Sequence, residues 1–405
     1  MNLRKPDRVP VIPLYLNYYP TRTLGISNKD AIIYSDKTLK IIAETTVKHN
    51  WDAFTGPLGM LIEEYPLQLL GIRQIKFPGI ELPEEKPYKW VEDEYMMQDE
   101  YDEFIDDPNG FVVKKLWPRI AKTLTPVSQS ILDKPFSFLY GANAFTLPFL
   151  AGEFLSSEGM IQSLKNFIAL AEYHQKSKSK IIAYIEEIKK LGFPNHTTGM
   201  VYPAFDWIST NLRGLRGALI DMYQVPDKLI SALKILTPHI IKNAITDAHI
   251  RGDCKRVIVR MHHGVAEFME HDQYMKFYWP YLKDLLIHLI DAGLMPIPVF
   301  EGDSTPVLNL LKELPPGKVT VHFDKVDRKK AKEILGDVMC FWGNVPEKLL
   351  CEGTVQQVKD DVKELIDTFG DNGGIIIDGA MGIPARAKPE NVQALTDAVH
   401  EYGVY

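Results

Sequence analysis

Charged side chains follow two consecutive apolar runs in the last third of the chain. The run 295–300 is followed by Glu301 and Asp303, and the run 318–323 contains His322. A carboxylate directly after an apolar strand is costly to bury unless it is paired or bound to a metal ion. We therefore predict that Glu301, His322 and Asp303 are catalytic, either by moving protons or by binding a metal.

Glutamate and histidine are also ligands of Zn²⁺, and a catalytic zinc takes three protein ligands and one open position. Glu301 and His322 would supply two of these ligands. The adjacent residues His262 and His263 follow a third apolar run, 256–261, and one of them could supply the third ligand. If that run is a strand, the two rings point to opposite sides and at most one faces the pocket. No short zinc motif such as HExxH is present, so the zinc prediction depends on spacing alone.

Ordinary structural roles stay open for several of these residues. A single histidine inside a strand, like His322, is most often a satisfied core residue. Asp303 is followed by Thr305 and Pro306, a pattern that is also typical of the start of a helix. Asn344 precedes Val345 and Pro346 and could equally be a turn residue.

The elements that would position these residues repeat along the chain. Five apolar runs each precede a helical pattern, at 256–261, 295–300, 318–323, 338–343 and 373–378. Strands that alternate with helices form parallel sheets, and continuous apolar runs indicate strands buried on both faces. Earlier candidate strands at 8–16, 51–56 and 136–141 bring the count to eight, the number in a (β/α)8 TIM barrel.

The remaining segments fit a barrel with additions in its N-terminal half. Residues 58–135 are rich in proline and acids, and we interpret them as an excursion over the barrel mouth. Residues 152–250 are mostly helical in pattern. The prediction is one α/β domain spanning residues 1–405, a TIM barrel with an insertion and extra helices.

In such a barrel the active site lies at the carboxyl ends of the strands. The residues at or near these ends are therefore predicted to bind substrate. They are polar and aromatic: Asn17, Tyr18, Tyr19, Asn143, Phe145, Trp342 and Asn344. Four of them (Tyr18, Tyr19, Phe145 and Trp342) could form an aromatic slot, and ordinary packing is an equally good interpretation of these four.

Composition excludes several classes of function. The net charge is −7 and no long basic block occurs, which argues against nucleic acid or an anionic membrane as partner. The cysteines Cys254, Cys340 and Cys351 contain no CxxC pair, so a reducing cytoplasm is expected. No signal peptide and no run of 18 apolar residues is visible. Dinucleotide, P-loop and GxSxG motifs are missing.

Several motifs in the C-terminal half resemble one known family. "FEGDS" (300–304), "GNVP" (343–346), "GGIII" (373–377) and "KPEN" (388–391) are similar to the uroporphyrinogen decarboxylase superfamily. This resemblance implies a single (β/α)8 barrel. True decarboxylases of that family carry an arginine-rich segment after the first strand, where this chain has "LYLNYYPTRT" (14–23). The cationic clamp for a tetrapyrrole with many carboxylates would be missing.

The other branch of this superfamily contains the corrinoid-dependent methyltransferases. Many of them resemble zinc enzymes with a His-x-Cys pair and a later cysteine. Val299 and Glu301 stand where that pair would be, and Ala380 stands where the later cysteine would be. Without a thiolate ligand, methylation of a thiol is disfavoured.

The O-demethylases of anaerobic bacteria resemble this chain more closely. Some of them use glutamate and histidine ligands separated by twenty residues, the spacing of Glu301 and His322. The upstream glutamate of that pattern falls at Leu286. Either His262 or His263 then replaces that ligand, or the metal has been lost.

The resemblance implies a methyltransferase that demethylates a small O-methyl compound, an aryl methyl ether. The methyl group would pass to the Co(I) of a separate corrinoid protein. Three alternatives stay open: a decarboxylase of a smaller acid, with Arg22 and Arg386 as candidate carboxylate clamp; a metal-free barrel that only docks a corrinoid protein; and a methylcobamide-dependent methyltransferase with another acceptor. The sequence does not indicate an oligomeric state.

Overall fold

The computed structural model describes residues 3–16, 18–33, 35–54, 63–133, 147–251, 254–371 and 373–405. The strands in this part of the chain are β1 (Ile75–Lys76), β2 (Lys89–Trp90), β3 (Gly199–Val201), β4 (Arg256–Met261), β5 (Met295–Asp303), β6 (Thr320–Lys325), β7 (Cys340–Trp342) and β8 (Ile375–Ile376). β1 and β2 form a short antiparallel pair. β3 to β8 form one sheet in chain order, and every neighbouring pair in it is parallel.

Helices make up most of the rest of the described chain. Up to residue 190 they are α1 (Tyr19–Thr23), α2 (Asn28–Ile33), α3 (Ser35–His49), α4 (Glu64–Leu70), α5 (Tyr101–Asp106), α6 (Pro108–Phe111), α7 (Trp117–Ile120), α8 (Thr125–Asp133), α9 (Leu147–Leu155) and α10 (Glu158–Lys190). They continue with α11 (Ala204–Asn211), α12 (Gly214–Gln224), α13 (Pro226–Arg251), α14 (His271–Gln273), α15 (Trp279–Asp291), α16 (Leu308–Leu311), α17 (Arg328–Leu335), α18 (Glu347–Glu352), α19 (Val355–Phe369) and α20 (Pro389–Tyr402). None of the described helices is long and apolar enough to cross a membrane.

Two short segments connect β8 back to β3 and complete a ring. Val11 forms a parallel bridge with Ile377, directly after β8. The Asp52 N–H donates to the Val11 carbonyl, and Phe54 forms a parallel bridge with Asn195, shortly before β3. Backbone hydrogen bonds thus link eight segments, the two short ones and the six strands β3 to β8, into a ring. The predicted (β/α)8 barrel is confirmed.

The third position of this ring differs from the prediction. The candidate strand 136–141 lies outside the described residues. The third position is occupied by residues 194–201, which belong to a stretch that the sequence pattern predicts to be mostly helical. Only three of these residues form a ladder with β4, a run too short to produce a recognisable strand pattern between long helices.

Side chains alternate between the two faces of β4. Val257, Val259 and Met261 pack in the large apolar cluster that includes the buried residues of α15. Ile258 belongs to a separate cluster with residues from five other barrel strands, including Val299. Since alternate residues of a strand share a face, Arg260 lies on the interior side of the barrel with Ile258.

The segment 63–133 is linked to the barrel helices by a buried ion pair. Arg213 Nε donates to Asp221 Oδ2 at 2.6 Å, and its Nη1 donates to the Met96 carbonyl. The Tyr101 hydroxyl donates to the same Asp221 oxygen at 2.9 Å. The Arg213 and Asp221 side chains are 3% and 0% exposed, and the exposed Glu94 carboxylate also lies 3.1 Å from Arg213 Nη1. The buried charge of Asp221 therefore depends on Arg213 for compensation.

We expect the Asp221→Asn variant to be destabilised by about 3–5 kcal/mol, because it removes the buried counter-charge of the Arg213 guanidinium and leaves only the exposed Glu94 carboxylate beside it. The free energy of unfolding would be measured by chemical denaturation. Asp247→Asn, at an exposed position of α13, serves as the matched control and should change stability by about 0.5 kcal/mol or less. A cost for Asp221→Asn no larger than that of the control would contradict the proposed anchoring role.

Candidate active site

A histidine and a glutamate meet where β4 and β5 reach the barrel mouth. Met261 pairs with Phe300 in the parallel ladder, so the next residues along each strand, His262 and Glu301, lie side by side. The Nδ1 atom of His262 lies 2.6 Å from Oε1 of Glu301. Their side chains are 19% and 30% exposed, so a ligand at the mouth can reach both.

A buried carboxylate holds the loop that carries this histidine. Asp206, near the start of α11, accepts the backbone N–H groups of His262 and His263 on Oδ1 at 2.7 and 2.8 Å. Its Oδ2 accepts the hydroxyl of Tyr278. Burial raises the pKa of Asp206, and these hydrogen bonds oppose the rise. Sequence reasoning missed Asp206, since its partners lie more than 50 residues away.

The two adjacent histidines have different partners. While His262 contacts Glu301, His263 Nδ1 lies 2.7 Å from the hydroxyl of Ser209 in α11. Burial lowers the pKa of His263, which favours its neutral form. Of the two, His262 is therefore the histidine that belongs to the pair at the mouth.

His322 lies deeper in the barrel than Glu301. It pairs in the ladder with Val299, two residues before Glu301, which is about 6–7 Å along the strand. Its side chain is fully buried, and Nε2 donates to Asp378 Oδ2 at 3.2 Å. Asp378 also accepts the Leu14 N–H at 2.7 Å. Burial raises the pKa of Asp378, and the hydrogen bond from His322 opposes the rise.

The predicted zinc ligands do not converge. Glu301 contacts His262, His322 contacts Asp378, and His263 contacts Ser209. Within the described residues, no group of three or more His, Cys, Asp or Glu side chains is placed to hold a metal ion. The donors in this arrangement do not fit a catalytic zinc with three protein ligands. Zinc stays a prediction from the sequence, and we derive no step through it.

Two other predicted polar residues have structural partners. Asp303 is exposed at the end of β5, and its Oδ1 accepts the N–H of Thr305, as in a turn. The side chain of Asn344 accepts a hydrogen bond from Nε of Arg328 at 3.1 Å, and it donates one to the Asp324 carbonyl. Catalytic and substrate-binding roles for Asp303 and Asn344 therefore stay predictions.

Three of the four residues of the predicted aromatic slot are described, and two of these have hydrogen-bond partners of their own. Trp342 is fully buried, and its indole N–H donates to the Ile12 carbonyl at 2.9 Å. Tyr19 is fully buried with its hydroxyl 3.1 Å from His49 Nε2. Tyr18 is buried and lines a cleft together with Arg22 and Arg386. Three predicted residues lie outside the described part of the chain: Asn17, Asn143 and Phe145.

Other residues surround the histidine–glutamate pair. The guanidinium of Arg260 lies over the ring of Tyr15, with Cζ 5.3 Å from the ring centroid, and its Nε is 3.9 Å from Glu301 Oε1. The ring of Tyr202 lies 5.6 Å from that of His262. Arg260 lies within an apolar run, and its two-residue spacing from Ile258 places it on the interior face once the structure shows which face of β4 is the interior.

A cleft of about 1000 Å³ lies beside Tyr18. Arg22 and Arg386 both line it, as does Tyr88, whose ring is 6.4 Å from that of Tyr18. The two arginines named as a possible carboxylate clamp are therefore in one cleft, and Lys86 adds a third cation to it.

The chain is similar to known proteins in sequence and in fold. A family model described as uroporphyrinogen decarboxylase (URO-D) matches residues 197–402. The uroporphyrinogen decarboxylase of Chlorobium luteolum is 28% identical over 141 residues, which are 34% of this chain and 39% of that protein. The one from Aromatoleum aromaticum is 26% identical over 184 residues, 44% of this chain and 50% of that protein. The chain thus aligns with half or less of the length of these relatives.

A methyltransferase from Methanosarcina mazei has the same fold. The two structures superpose with a TM-score of 0.60 at 15% sequence identity, over 99% of this chain and 96% of the other. At this identity the likeness concerns the fold alone. The match to residues 197–402 covers half of the chain and includes six of the barrel strands. The chain therefore belongs to the uroporphyrinogen decarboxylase family.

Proposed function

We propose that this protein is a methyltransferase that demethylates an aryl methyl ether and passes the methyl group to a separate corrinoid protein. The observation that carries the proposal is the hydrogen-bonded pair of His262 and Glu301 at the barrel mouth. Such a pair can give a proton to a leaving oxygen atom. The fold likeness to a methyltransferase from Methanosarcina mazei supports the same class of reaction.

The cysteines are poor candidates for a nucleophile. Cys254 is buried and donates to the His196 carbonyl. Burial raises the pKa of Cys340 to about 11, and burial also raises the pKa of Cys351, so neither favours a thiolate. The nucleophile is then supplied from outside, by the Co(I) of the corrinoid that a partner protein presents at the mouth.

His262 supplies the proton that the leaving oxygen atom needs. As the bond between methyl carbon and ether oxygen breaks, the electron pair stays on oxygen and the methyl carbon bonds to cobalt through the Co(I) electron pair. His262 donates a proton to that oxygen from Nε2, because Nδ1 is engaged by Glu301. The carboxylate of Glu301 orients the His262 ring.

Aromatic side chains around the pair support an aromatic substrate. Tyr15 and Tyr202 lie near Arg260 and His262; Tyr15 is buried and Tyr202 is half-buried. Burial raises the pKa of each tyrosine, which keeps both hydroxyls neutral. Neutral aromatic walls favour contact with a flat aromatic ring.

A decarboxylase of a smaller acid is the second candidate, and one observation favours it. That reaction needs a cation to hold a carboxylate, and Arg260 places one next to Glu301. The curated relatives are uroporphyrinogen decarboxylases. The two candidates differ in product: release of CO₂ without any corrinoid identifies the lyase, and release of a phenol with methylation of the corrinoid identifies the methyltransferase.

We expect Glu301→Gln and His262→Gln each to lower turnover by about 10²–10³-fold, since each removes part of the proton-donating pair. The assay mixes enzyme, reduced corrinoid protein and a panel of aryl and alkyl methyl ethers. Methylation of the corrinoid is followed by its spectrum, and the free alcohol is quantified.

The matched controls are Glu333→Gln and His271→Gln, which change the same residue types at exposed positions of α17 and α14. Both should retain wild-type turnover. The proposal is wrong if no ether yields methylated corrinoid while a carboxylic acid releases CO₂ without corrinoid.

A measurement of the metal content distinguishes a zinc site at Glu301 from the hydrogen-bonded pair of His262 and Glu301. Because Glu301 is engaged by His262 and no third donor joins them in the described chain, we expect well under one zinc per chain, with no change in Glu301→Gln. Zinc would be measured by elemental analysis on protein purified without added metal or chelator. One zinc per wild-type chain that is lost in the variant would establish Glu301 as a ligand.

A further inference from the structure

The long helix α10 carries a line of exposed isoleucines that no described element covers. Ile161, Ile168 and Ile182 are 43%, 60% and 52% exposed. They lie on a seven-residue repeat, and exposed Gln175 occupies the remaining position between the last two. Seven residues are close to two full turns, so these four side chains form one stripe along the helix. Single exposed apolar residues are common on protein surfaces, but a regular line of them indicates a contact face.

The stripe faces away from the rest of the protein. Ser163 is buried and donates to the Thr123 carbonyl, and Tyr184 is buried in a cluster with Leu39 and Phe54. Ser163 and Tyr184 each lie two residues after an isoleucine of the stripe. Side chains two residues apart point to nearly opposite sides of a helix. The stripe therefore lies on the far side of α10, where a second helix can reach it.

The stripe is symmetric about its centre, which matches it to a second copy of the same helix. Gln175 lies seven residues from Ile168 and seven from Ile182. If two copies of α10 pack antiparallel about Gln175, then Ile168 of each copy contacts Ile182 of the other. The two Gln175 side chains then face each other, and each amide offers both donors and an acceptor. A twofold interface requires this kind of self-complementarity.

The charges beside the stripe favour the antiparallel arrangement. Lys165 and Glu186 are exposed, and each follows an isoleucine of the stripe by four residues, so both flank it on the same side. Antiparallel packing brings the same sides of the two helices together, which places Lys165 of one copy beside Glu186 of the other. A parallel pair brings opposite sides together and does not form this contact. Antiparallel packing also brings Glu158 in the first turn near Lys190 in the last turn of the second copy.

We propose that α10 is a dimerisation helix, through which two copies of this chain pack antiparallel about Gln175. The contact is limited to one face of a helix about 50 Å long, with three isoleucines from each copy. An interface of this size gives a reversible dimer, with a dissociation constant in the micromolar range. Turnover does not enter this inference, which therefore stands or falls separately from the proposed function.

Sedimentation equilibrium of the full-length protein over a range of concentrations measures the dissociation constant. Ile168→Glu places a charge opposite Ile182 of the second copy and should weaken the dimer at least about tenfold. Lys165→Glu should weaken it by about threefold to tenfold, because two like-charged contacts replace two ion pairs. The double variant Lys165→Glu/Glu186→Lys should restore wild-type affinity, because the ion pairs return with their signs exchanged.

Two further measurements make the test specific. Glu333→Lys, a charge reversal at an exposed position of α17, serves as the matched control and should leave the dissociation constant unchanged. Thermal unfolding of each variant checks that the fold is retained, which we expect because the altered side chains are exposed.

Cross-linking at the centre of the stripe tests the register. Gln175→Cys places two cysteines across the twofold axis, so a short bis-maleimide should convert this variant to a covalent dimer. Wild type, with its three native cysteines, and Thr246→Cys at an exposed position of α13 should stay largely unlinked at the same concentration.

The inference is overturned if the wild-type protein is monomeric at every concentration, or if Ile168→Glu leaves a dimer intact. It is also overturned if the double charge reversal fails to restore affinity, or if Gln175→Cys links no more than Thr246→Cys.

Discussion

The register between β4 and β5 determines what the barrel mouth can do. Pairing of Met261 with Phe300 brings the next residues of the two strands, His262 and Glu301, into contact at 2.6 Å. Strand alternation places Arg260 on the same interior side. A slip of one residue would turn these side chains toward the surrounding helices and remove the cluster. The proton donor and the cation at the mouth therefore depend on one ladder of backbone hydrogen bonds.

Two buried carboxylates, Asp206 and Asp378, hold the residues at the barrel mouth in position. Asp206 accepts the N–H groups of residues 262 and 263, which fixes the loop after β4. Asp378 accepts the Leu14 N–H and contacts His322, which ties the first and last strands of the ring together one layer below. Both carboxylates are fully buried, and both satisfy backbone groups that would otherwise lack acceptors. These two carboxylates position the residues at the mouth, whereas Glu301 is exposed enough to contact a ligand.

The fold was largely predictable from the sequence, and the site only in part. β4 to β8 are continuous apolar runs, so local patterns reveal them, whereas 194–201 carries too short a run to stand out between helices. Glu301 was identified because a carboxylate after an apolar strand is costly to bury. Arg260 was missed because its direction depends on which face of β4 is the interior. Likewise, spacing could not show that His322 lies a layer below Glu301 and contacts Asp378.

The central claim is that the residues at the ends of β4 and β5 form the substrate site. A crystal structure of the protein with a bound aryl methyl ether tests it most directly, because it locates the ligand without requiring catalysis. The account predicts the ether oxygen within hydrogen-bond distance of His262 Nε2. A ligand bound instead in the cleft between Arg22 and Arg386, with the mouth unchanged, would contradict it.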